Sequence, residues 1–85
     1  MKDLRWNLLK SKRLKQTRGV SFEKLVQAKV IAVRAHPKNP KQELMLLEYQ
    51  GYIWVVPFIE TEEEIFLKTL YPSRKFTKFY RGRRP

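Results

Sequence analysis

The longest apolar stretch of the chain lies in its second half and is divided by one polar-glycine pair. Residues 43–60, ELMLLEYQGYIWVVPFIE, are apolar at consecutive positions on both sides of Gln50-Gly51. Runs of this kind are typical of strands with two buried faces, and the glycine allows the positive φ of a tight hairpin turn. The pattern predicts a central β-hairpin in a sheet that helices cover. Pro57 has no N–H to donate, which predicts a bulge or the end of pairing there.

The first third of the chain predicts a short strand and two helices. LRW, residues 4–6, reads as a strand, and Asn7 is a suitable cap for a helix over residues 8–17 that ends at Gly19. This helix is basic nearly all round, so we expect it on the surface, held by its large apolar residues Leu8, Leu9 and Leu14. Ser21 is a cap for a second helix over residues 22–28, whose apolar face predicts packing against the core.

The remaining segments predict further strands. KVIAVRA, residues 29–35, is rich in β-branched residues and runs into the loop HPKNPK. IFLKTLY, residues 65–71, predicts the last long strand, and RKFTKFY predicts a short final helix or an extended arm. We therefore expect an α+β fold: a short N-terminal strand, two helices, then a three- to four-stranded antiparallel sheet with a short C-terminal helix or arm. Residues 1–85 are enough for a single domain.

Charge is distributed unevenly along the chain. The formal net charge is +11, with seven cations in residues 1–20, seven in residues 67–85, and six glutamates without a cation in residues 42–66. A polyanion gains affinity for such a protein through counterion release, so we expect a nucleic acid as the partner and one strongly positive surface. The chain has no cysteine and no apolar run long enough for a bilayer, which predicts a cytoplasmic protein without membrane contact.

Two short motifs, one near each end, resemble those of a known family. Trp6 and Lys10 are followed by RGVSFE at residues 18–23, which resembles the WD..K and HGVSFEEA opening of the BrnT family of bacterial type II toxins. IFLKTLYPSRK is similar to the family's closing strand, which ends in SARK, with Arg74 and Lys75 at the last two positions. Arg18 stands where the family usually has histidine. The resemblance implies a RelE-like fold, RNA cleavage without a metal ion, and inhibition by a cognate antitoxin.

Metal-independent RNA cleavage gives the cations and rings of the C-terminal segment possible roles. The 2′-hydroxyl attacks its own phosphate, so the protein positions the strand, neutralises charge and assists proton transfer. Arg74 is the first catalytic candidate, because its planar fork can hold two phosphate oxygens; the alternative is a salt bridge to Glu62, Glu63 or Glu64. Lys68 faces either solvent or a phosphate site. Tyr80 either serves the site, by moving a proton or stacking on a base, or covers the edge of the core.

Two further catalytic candidates lie outside that segment. His36 is the only histidine and is a candidate acid, although its place before Pro37 also fits an exposed turn. Glu23 is a candidate base, although a glutamate in the first turn of a helix also complements the helix dipole. The candidates for RNA binding are cations and one ring near these positions: Lys38, Lys41, Tyr71, Lys75, Lys78 and Arg81.

Other function classes fit the sequence less well. The three glycines are isolated, which argues against a phosphate-binding loop, and one histidine without cysteine argues against ordinary zinc sites, so we expect no metal and no cofactor. Two alternatives to a ribonuclease toxin stay open. One is a non-catalytic RNA-binding or ribosome-associated module, and the other is a toxin of the same fold that inhibits a protein such as DNA gyrase.

Overall fold

The computed structural model describes residues 2–81, without the side chain of Arg81, and contains six strands and three helices over that range. In chain order these are β1 Asp3–Trp6, α1 Leu8–Arg18, α2 Phe22–Leu25, β2 Lys29–Ala35, β3 Glu43–Tyr49, β4 Tyr52–Glu60, β5 Glu64–Leu67, β6 Tyr71–Pro72 and α3 Arg74–Arg81. The predicted α+β class is confirmed, and of the two predictions for the C-terminal segment the helix is the one that forms. No helix of this part of the chain is long and apolar enough to cross a bilayer.

The predicted hairpin, β3–β4, lies at the centre of the sheet. Strands follow the order β1-β5-β4-β3-β2, and β3 pairs with β4 from Glu43↔Phe58 to Tyr49↔Tyr52. Gln50 and Gly51 both have positive φ, 54° and 76°, as the tight turns of two-residue hairpins require. The turn residues thus set the register that places the apolar side chains of both strands in the interior.

The sheet has more strands than the sequence predicts. β2, β3, β4 and β5 form the expected antiparallel set, but β1 joins β5 in parallel, and β6 pairs with β4. The predicted long strand over residues 65–71 is wrong in its middle, because Lys68, Thr69 and Leu70 separate β5 from β6. Local propensity cannot indicate such an interruption, which depends on what the neighbouring strand can pair with.

The predicted disturbance of pairing at Pro57 is found on one side of its strand and not on the other. Pro57 stays in register with Leu44 on β3. The irregularity lies on the other side, where the three residues 68–70 face the two residues 56–57 between the pairs Phe58↔Leu67 and Val55↔Tyr71. The Pro57 carbonyl accepts a hydrogen bond from the Lys68 amide at 2.8 Å. Regular pairing on this side of β4 would need a hydrogen bond from the N–H of residue 57, which proline lacks. The segment that separates β5 from β6 is therefore the one that departs from the regular ladder.

The two faces of the sheet carry separate apolar clusters, because side chains alternate along each strand. On one face, α1 and α2 contribute Leu14, Phe22 and Leu25 to a cluster with Leu47 and Trp54. On the other face, Phe76 and Tyr80 of α3 pack against the second cluster, which consists of Leu44, Leu46, Ile53 and Val55. Helices thus cover both faces of the central hairpin, as its uniformly apolar sequence indicates.

Helix α1 is capped as predicted but held differently. Asn7 Oδ1 accepts from the Lys10 amide at 2.9 Å, and Gly19 ends the helix with φ of 80°. Leu14 is buried, whereas Leu8 and Leu9 are 71% and 77% exposed, so the prediction that they anchor the helix is wrong. The helix meets the core through the face that carries Leu14 and Ser11, and its first turn lies outside that contact.

Glu23, on α2, connects three elements through its carboxylate. It accepts hydrogen bonds from Ser11 Oγ on α1 and, at 3.0 Å, from Trp6 Nε1 on β1. Ser11 is itself buried and accepts from the Phe22 amide at 2.9 Å. The bond from Ser11, followed by a backbone bond and the bond from Trp6, lowers the pKa of Glu23. The carboxylate is thereby kept ionised as a structural acceptor.

Because the folded-state pKa of Glu23 is lowered from its ordinary value of 4.5, its stabilising contribution is present above that value. It is lost as the pH falls through the folded-state pKa. We therefore expect Glu23→Gln to lower the melting temperature at neutral pH, with a difference from wild type that shrinks in acid. Thermal unfolding followed across pH measures this. Glu62→Gln, in the exposed β4–β5 turn, is the control, and an equal effect of both changes would contradict the assignment.

Candidate functional site

A pocket of about 550 Å³ lies on the α3 face of the sheet, between α3 and the loop that follows β2. Cationic, aromatic and hydrogen-bonding side chains meet there. The residues that line it are Arg34, Ala35, His36, Pro37, Leu44, Tyr71, Lys75, Phe76 and Phe79. Three of the residues proposed from the sequence are among them, namely His36, Tyr71 and Lys75. A concave site that combines an apolar floor with a few polar groups is the usual form of a ligand site.

The loop at residues 36–42 holds the imidazole of His36 in one orientation. His36 Nδ1 accepts hydrogen bonds from the backbone amides of Lys38 and Asn39, at 3.0 and 2.9 Å. The Asn39 side chain in turn accepts from the Lys41 amide at 3.0 Å. Since Nδ1 is an acceptor, the proton of the neutral ring lies on Nε2. In this loop His36 therefore offers a hydrogen-bond donor at Nε2, and its Nδ1 is occupied by the turn.

Arg34 is a functional candidate that the sequence analysis missed. It lies on β2 opposite Leu44, and its guanidinium carbon is 5.4 Å from the centre of the Phe76 ring. A guanidinium above an aromatic face is held by cation–π attraction while its N–H groups stay free to donate at the edge. Its position near the end of an apolar strand is only weak evidence for a functional role. The packing of α3 on the sheet is what brings Arg34 to the pocket.

Hydrogen bonds to β4 fix the position of α3. Ser73 Oγ accepts from the Phe76 amide at 3.1 Å, in the manner of a helix cap. The buried Thr77 hydroxyl donates to the Ser73 carbonyl at 2.6 Å and accepts from the Ile53 amide at 2.8 Å. The Ser73 N–H also donates to the Ile53 carbonyl at 2.9 Å. The backbone N–H and C=O of Ile53 are therefore both hydrogen-bonded to the segment that begins α3. Lys75, Phe76 and Phe79 are thus carried on a rigid element.

Aromatic rings form one wall of the pocket. Phe79 is 44% exposed, and its ring meets that of Tyr80 edge to face with centroids 5.0 Å apart. Tyr80 packs against the apolar cluster below and lies 6.4 Å from Phe76, so it supports the two phenylalanines and does not line the pocket itself. Tyr71 does line it, and it also packs against the cluster. The exposed platform of the site is therefore Phe79, which the sequence analysis did not single out.

The other proposed residues lie around the pocket or away from it. Arg74 and Lys78 are exposed on α3, and Lys38 and Lys41 are exposed on the loop, none of them among the lining residues. The alternative salt bridge from Arg74 is not formed within residues 2–80, where the ion pairs are Lys2–Glu60 and Arg5–Glu64. Lys68 is half-buried with Nζ 5.5 Å from the centre of the Phe66 ring. The side chain of Arg81 lies outside the described residues.

Glu23 is separated from the pocket by the sheet. Its helix α2 packs on the face opposite to α3, and its carboxylate is engaged by Ser11 and Trp6. A carboxylate with a lowered pKa is a weak base, so its surroundings favour the structural reading of this residue. In the part of the chain that the structure describes, no three histidine or carboxylate side chains come together as a metal site would require.

Comparison with known proteins bears on the fold. No protein-family model matches the sequence, and no curated protein matches it. Among solved structures, the crystal structure of the Brucella abortus ribonuclease toxin BrnT matches with a TM-score of 0.57 and 19% identity, over 86% of this chain and 97% of that one. The chain therefore has a BrnT-like fold, which confirms the fold implied by the two sequence motifs.

Proposed function

We propose that this protein is the toxin of a type II toxin–antitoxin system and a metal-independent endoribonuclease that cleaves messenger RNA to arrest translation. One observation carries the proposal: the pocket places Arg34, Lys75 and the fixed imidazole of His36 beside the exposed ring of Phe79. The fold match to a ribonuclease toxin supports it, although a fold can host several functions and the site must carry the argument. The same assignment implies a cytoplasmic protein with a cognate antitoxin as its partner.

The reaction makes limited demands on the protein. The 2′-hydroxyl oxygen attacks the adjacent phosphorus, a bond to that oxygen forms, and the bond from phosphorus to the 5′-oxygen breaks. The 2′-hydroxyl loses a proton and the 5′-oxygen gains one, so the products carry a 2′,3′-cyclic phosphate and a 5′-hydroxyl. Correct placement of the strand and stabilisation of the negative charge on phosphorus account for most of the barrier reduction in such a site.

Arg34 and Lys75 neutralise the phosphate in this proposal. They reach the pocket from two different elements, β2 and α3, so a phosphodiester bound there meets two positive charges. The stack on Phe76 restricts the Arg34 guanidinium before RNA binds. Less conformational freedom is then lost in the transition state, and the planar donors can hold two oxygens of the pentacoordinate phosphorus.

His36 supplies a neutral donor and Tyr71 a hydroxyl. With Nδ1 accepting from two backbone amides, the ring donates Nε2–H to a phosphate oxygen. We assign proton donation to the departing 5′-oxygen to the Tyr71 hydroxyl or the Lys75 ammonium, the other lining side chains that carry exchangeable protons, and the 2′-hydroxyl gives its proton to solvent. Lys38, Lys41, Arg74 and Lys78 surround the site and are proposed to contact phosphates on either side of the scissile one.

Base stacking on Phe79 gives a prediction for binding. Phe79→Ala should weaken the affinity for a single-stranded RNA by about 1–3 kcal/mol, the usual worth of one stacked base, while Phe79→Trp retains it. Fluorescence anisotropy with a labelled oligonucleotide measures both. Leu9→Ala, another exposed apolar residue outside the site, is the matched control. Equal affinity of the Phe79→Ala variant and wild type would remove the ring from the binding site.

The direct test of the activity uses purified protein, a mixed single-stranded RNA and excess EDTA. Fragments with cyclic-phosphate and 5′-hydroxyl ends would support metal-independent cleavage without a ribosome. RNA that binds but stays intact calls for the same assay with translating ribosomes, and intact RNA there as well would favour the non-catalytic RNA-binding module. RNA that neither binds nor is cleaved would favour a toxin of the same fold with a protein target.

A further inference from the structure

Three exposed leucines lie close together in the chain, at the corner where β1 is followed by the first turn of α1. Leu8 and Leu9, in the first turn of α1, are 71% and 77% exposed, and Leu4 on β1 is 41% exposed. Leu8 is shared by two shallow grooves. The first, of about 440 Å³, is lined by Asp3, Leu4, Arg5, Trp6 and Leu8, and the second, of about 390 Å³, by Leu8, Lys12, Lys15, Ser21 and Glu23.

The corner also contains an unpaired strand edge. β1 is the outermost strand at one end of the sheet and pairs with β5 alone among the strands of residues 2–81. An edge of this kind presents backbone N–H and C=O groups to which an extended segment of another chain can bind. Leu4 lies in the middle of this edge strand, so added backbone would pass directly beside the first groove.

The surroundings of the corner are strongly basic. Helix α1 carries five cations and no carboxylate: Lys10, Lys12, Arg13, Lys15 and Arg18. All five side chains are exposed, and none takes part in the two ion pairs found within residues 2–80. Glu23, the carboxylate in the second groove, is already held by Ser11 and Trp6. A ligand that enters this groove therefore meets Lys12 and Lys15, which form no ion pair within residues 2–80 and outnumber the single carboxylate of Glu23.

We propose that this corner docks an extended segment of a partner protein, in which a stretch with apolar side chains adjoins a stretch with carboxylates. The apolar side chains pack on both sides of Leu8, the segment's backbone pairs with the outer edge of β1, and the carboxylates reach Lys12 and Lys15. A protein interface needs an apolar centre with a charged rim, and the corner has this composition. The proposal concerns a surface on the α1 side of the sheet, so it holds or fails independently of the proposed ribonuclease activity.

The observations favour this occupant over the two obvious others. A phosphate backbone gains from the cations but nothing from two leucines more than 70% exposed. A second copy of the chain would bring its own five α1 cations against these five, and like charges across an interface oppose association. Carboxylates beside apolar side chains match both features at once.

The test is a titration with a synthetic peptide that joins a leucine-containing stretch to a glutamate-containing stretch. Two control peptides replace every leucine by serine or every glutamate by glutamine. The protein variants are the double change Leu8→Ser with Leu9→Ser and the matched double change Val30→Ser with Val33→Ser, on the opposite edge strand β2, where both valines are about half exposed. Thermal unfolding verifies that each variant is folded, and RNA binding and sedimentation are measured on the same samples.

We expect saturable binding of the leucine–glutamate peptide, weakened at least about tenfold by either control peptide and by the leucine variant, but not by the valine variant. RNA affinity should be unchanged in both variants. If the serine peptide binds as tightly as the leucine–glutamate peptide, the contact depends on charge alone and the proposal is overturned. A lack of saturable binding by the leucine–glutamate peptide would also overturn it. Loss of RNA affinity in the leucine variant would assign the corner to nucleic acid, and leucine-dependent dimers would assign it to a second copy.

Discussion

Arg34→Ala should lower the rate of RNA cleavage by about two to three orders of magnitude, as loss of a preorganised transition-state donor does. The guanidinium lines the pocket and is held over Phe76, so its charge is in place before the substrate arrives. Because the negative charge on phosphorus grows in the transition state, the loss should fall mainly on kcat and less on KM.

Arg74→Ala is the matched control for that experiment. Both residues are exposed arginines of the same surface region, but Arg34 lines the pocket, whereas Arg74, at the first position of α3, does not. We expect it to lose only a few-fold in activity, the share of one peripheral phosphate contact. A deep loss in Arg74→Ala with little effect in Arg34→Ala would return the catalytic role to the residue that the sequence first indicated. Arg34→Lys adds a further check, since it keeps the charge but loses the planar stack.

Substitution of His36 separates its two tasks. His36→Ala removes both the Nε2 donor and the acceptor that orders the Lys38 and Asn39 amides, so activity and loop structure should both suffer. His36→Asn keeps an acceptor of the kind that side-chain turns use, and should preserve the loop while activity falls by about two orders of magnitude. Steady-state cleavage and thermal unfolding of both variants measure the two effects separately.

The pH profile adds an independent test of the His36 role. If His36 acts only as a neutral donor, the cleavage by His36→Asn keeps the pH profile of wild type at a lower rate. If the ring exchanges protons with the substrate, one limb of the profile should disappear in the variant. Full activity in His36→Asn would leave the histidine as a turn residue, which was the alternative from the sequence.

The candidate pocket contains only some of the residues proposed from the sequence, and the reason lies in contacts between distant segments. The sequence pointed to cations and rings near the C-terminus, and α3 does carry Lys75 and Phe79 into the pocket. It did not point to Arg34, because an arginine near the end of an apolar strand is usually a solvent-facing position. Its pairing with Phe76 joins residues 42 positions apart in the chain and depends on α3 crossing the sheet. Such a contact has no local signature in either segment.

Glu23 illustrates the opposite case, in which a motif was noticed but its purpose depended on packing. The resemblance marked RGVSFE as important, and the structure shows the glutamate holding α1, α2 and β1 together through Ser11 and Trp6. Neither partner is adjacent in the chain. A carboxylate on a helix is compatible with catalysis and with structure alike, and only its hydrogen-bond partners separate the two.

The sequence by itself determined the elements that depend on neighbouring residues. Asn7 and Gly19 fix the ends of α1, Gln50-Gly51 fixes the hairpin, and the apolar character of residues 43–60 requires cover on both faces. These features follow from backbone conformation and local hydrogen bonds, which a short segment already specifies.

Tertiary structure alone decided the rest: the parallel pairing of β1 with β5, the side of Pro57 on which pairing is interrupted, the exposure of Leu8 and Leu9, and the meeting of Arg34, His36 and Lys75. Each of these depends on which distant surface fills the space beside a residue. Burial and electrostatic interactions act between residues that are close in space. Whether a residue packs in the core, contacts a ligand or stays exposed therefore depends on neighbours from other segments of the chain.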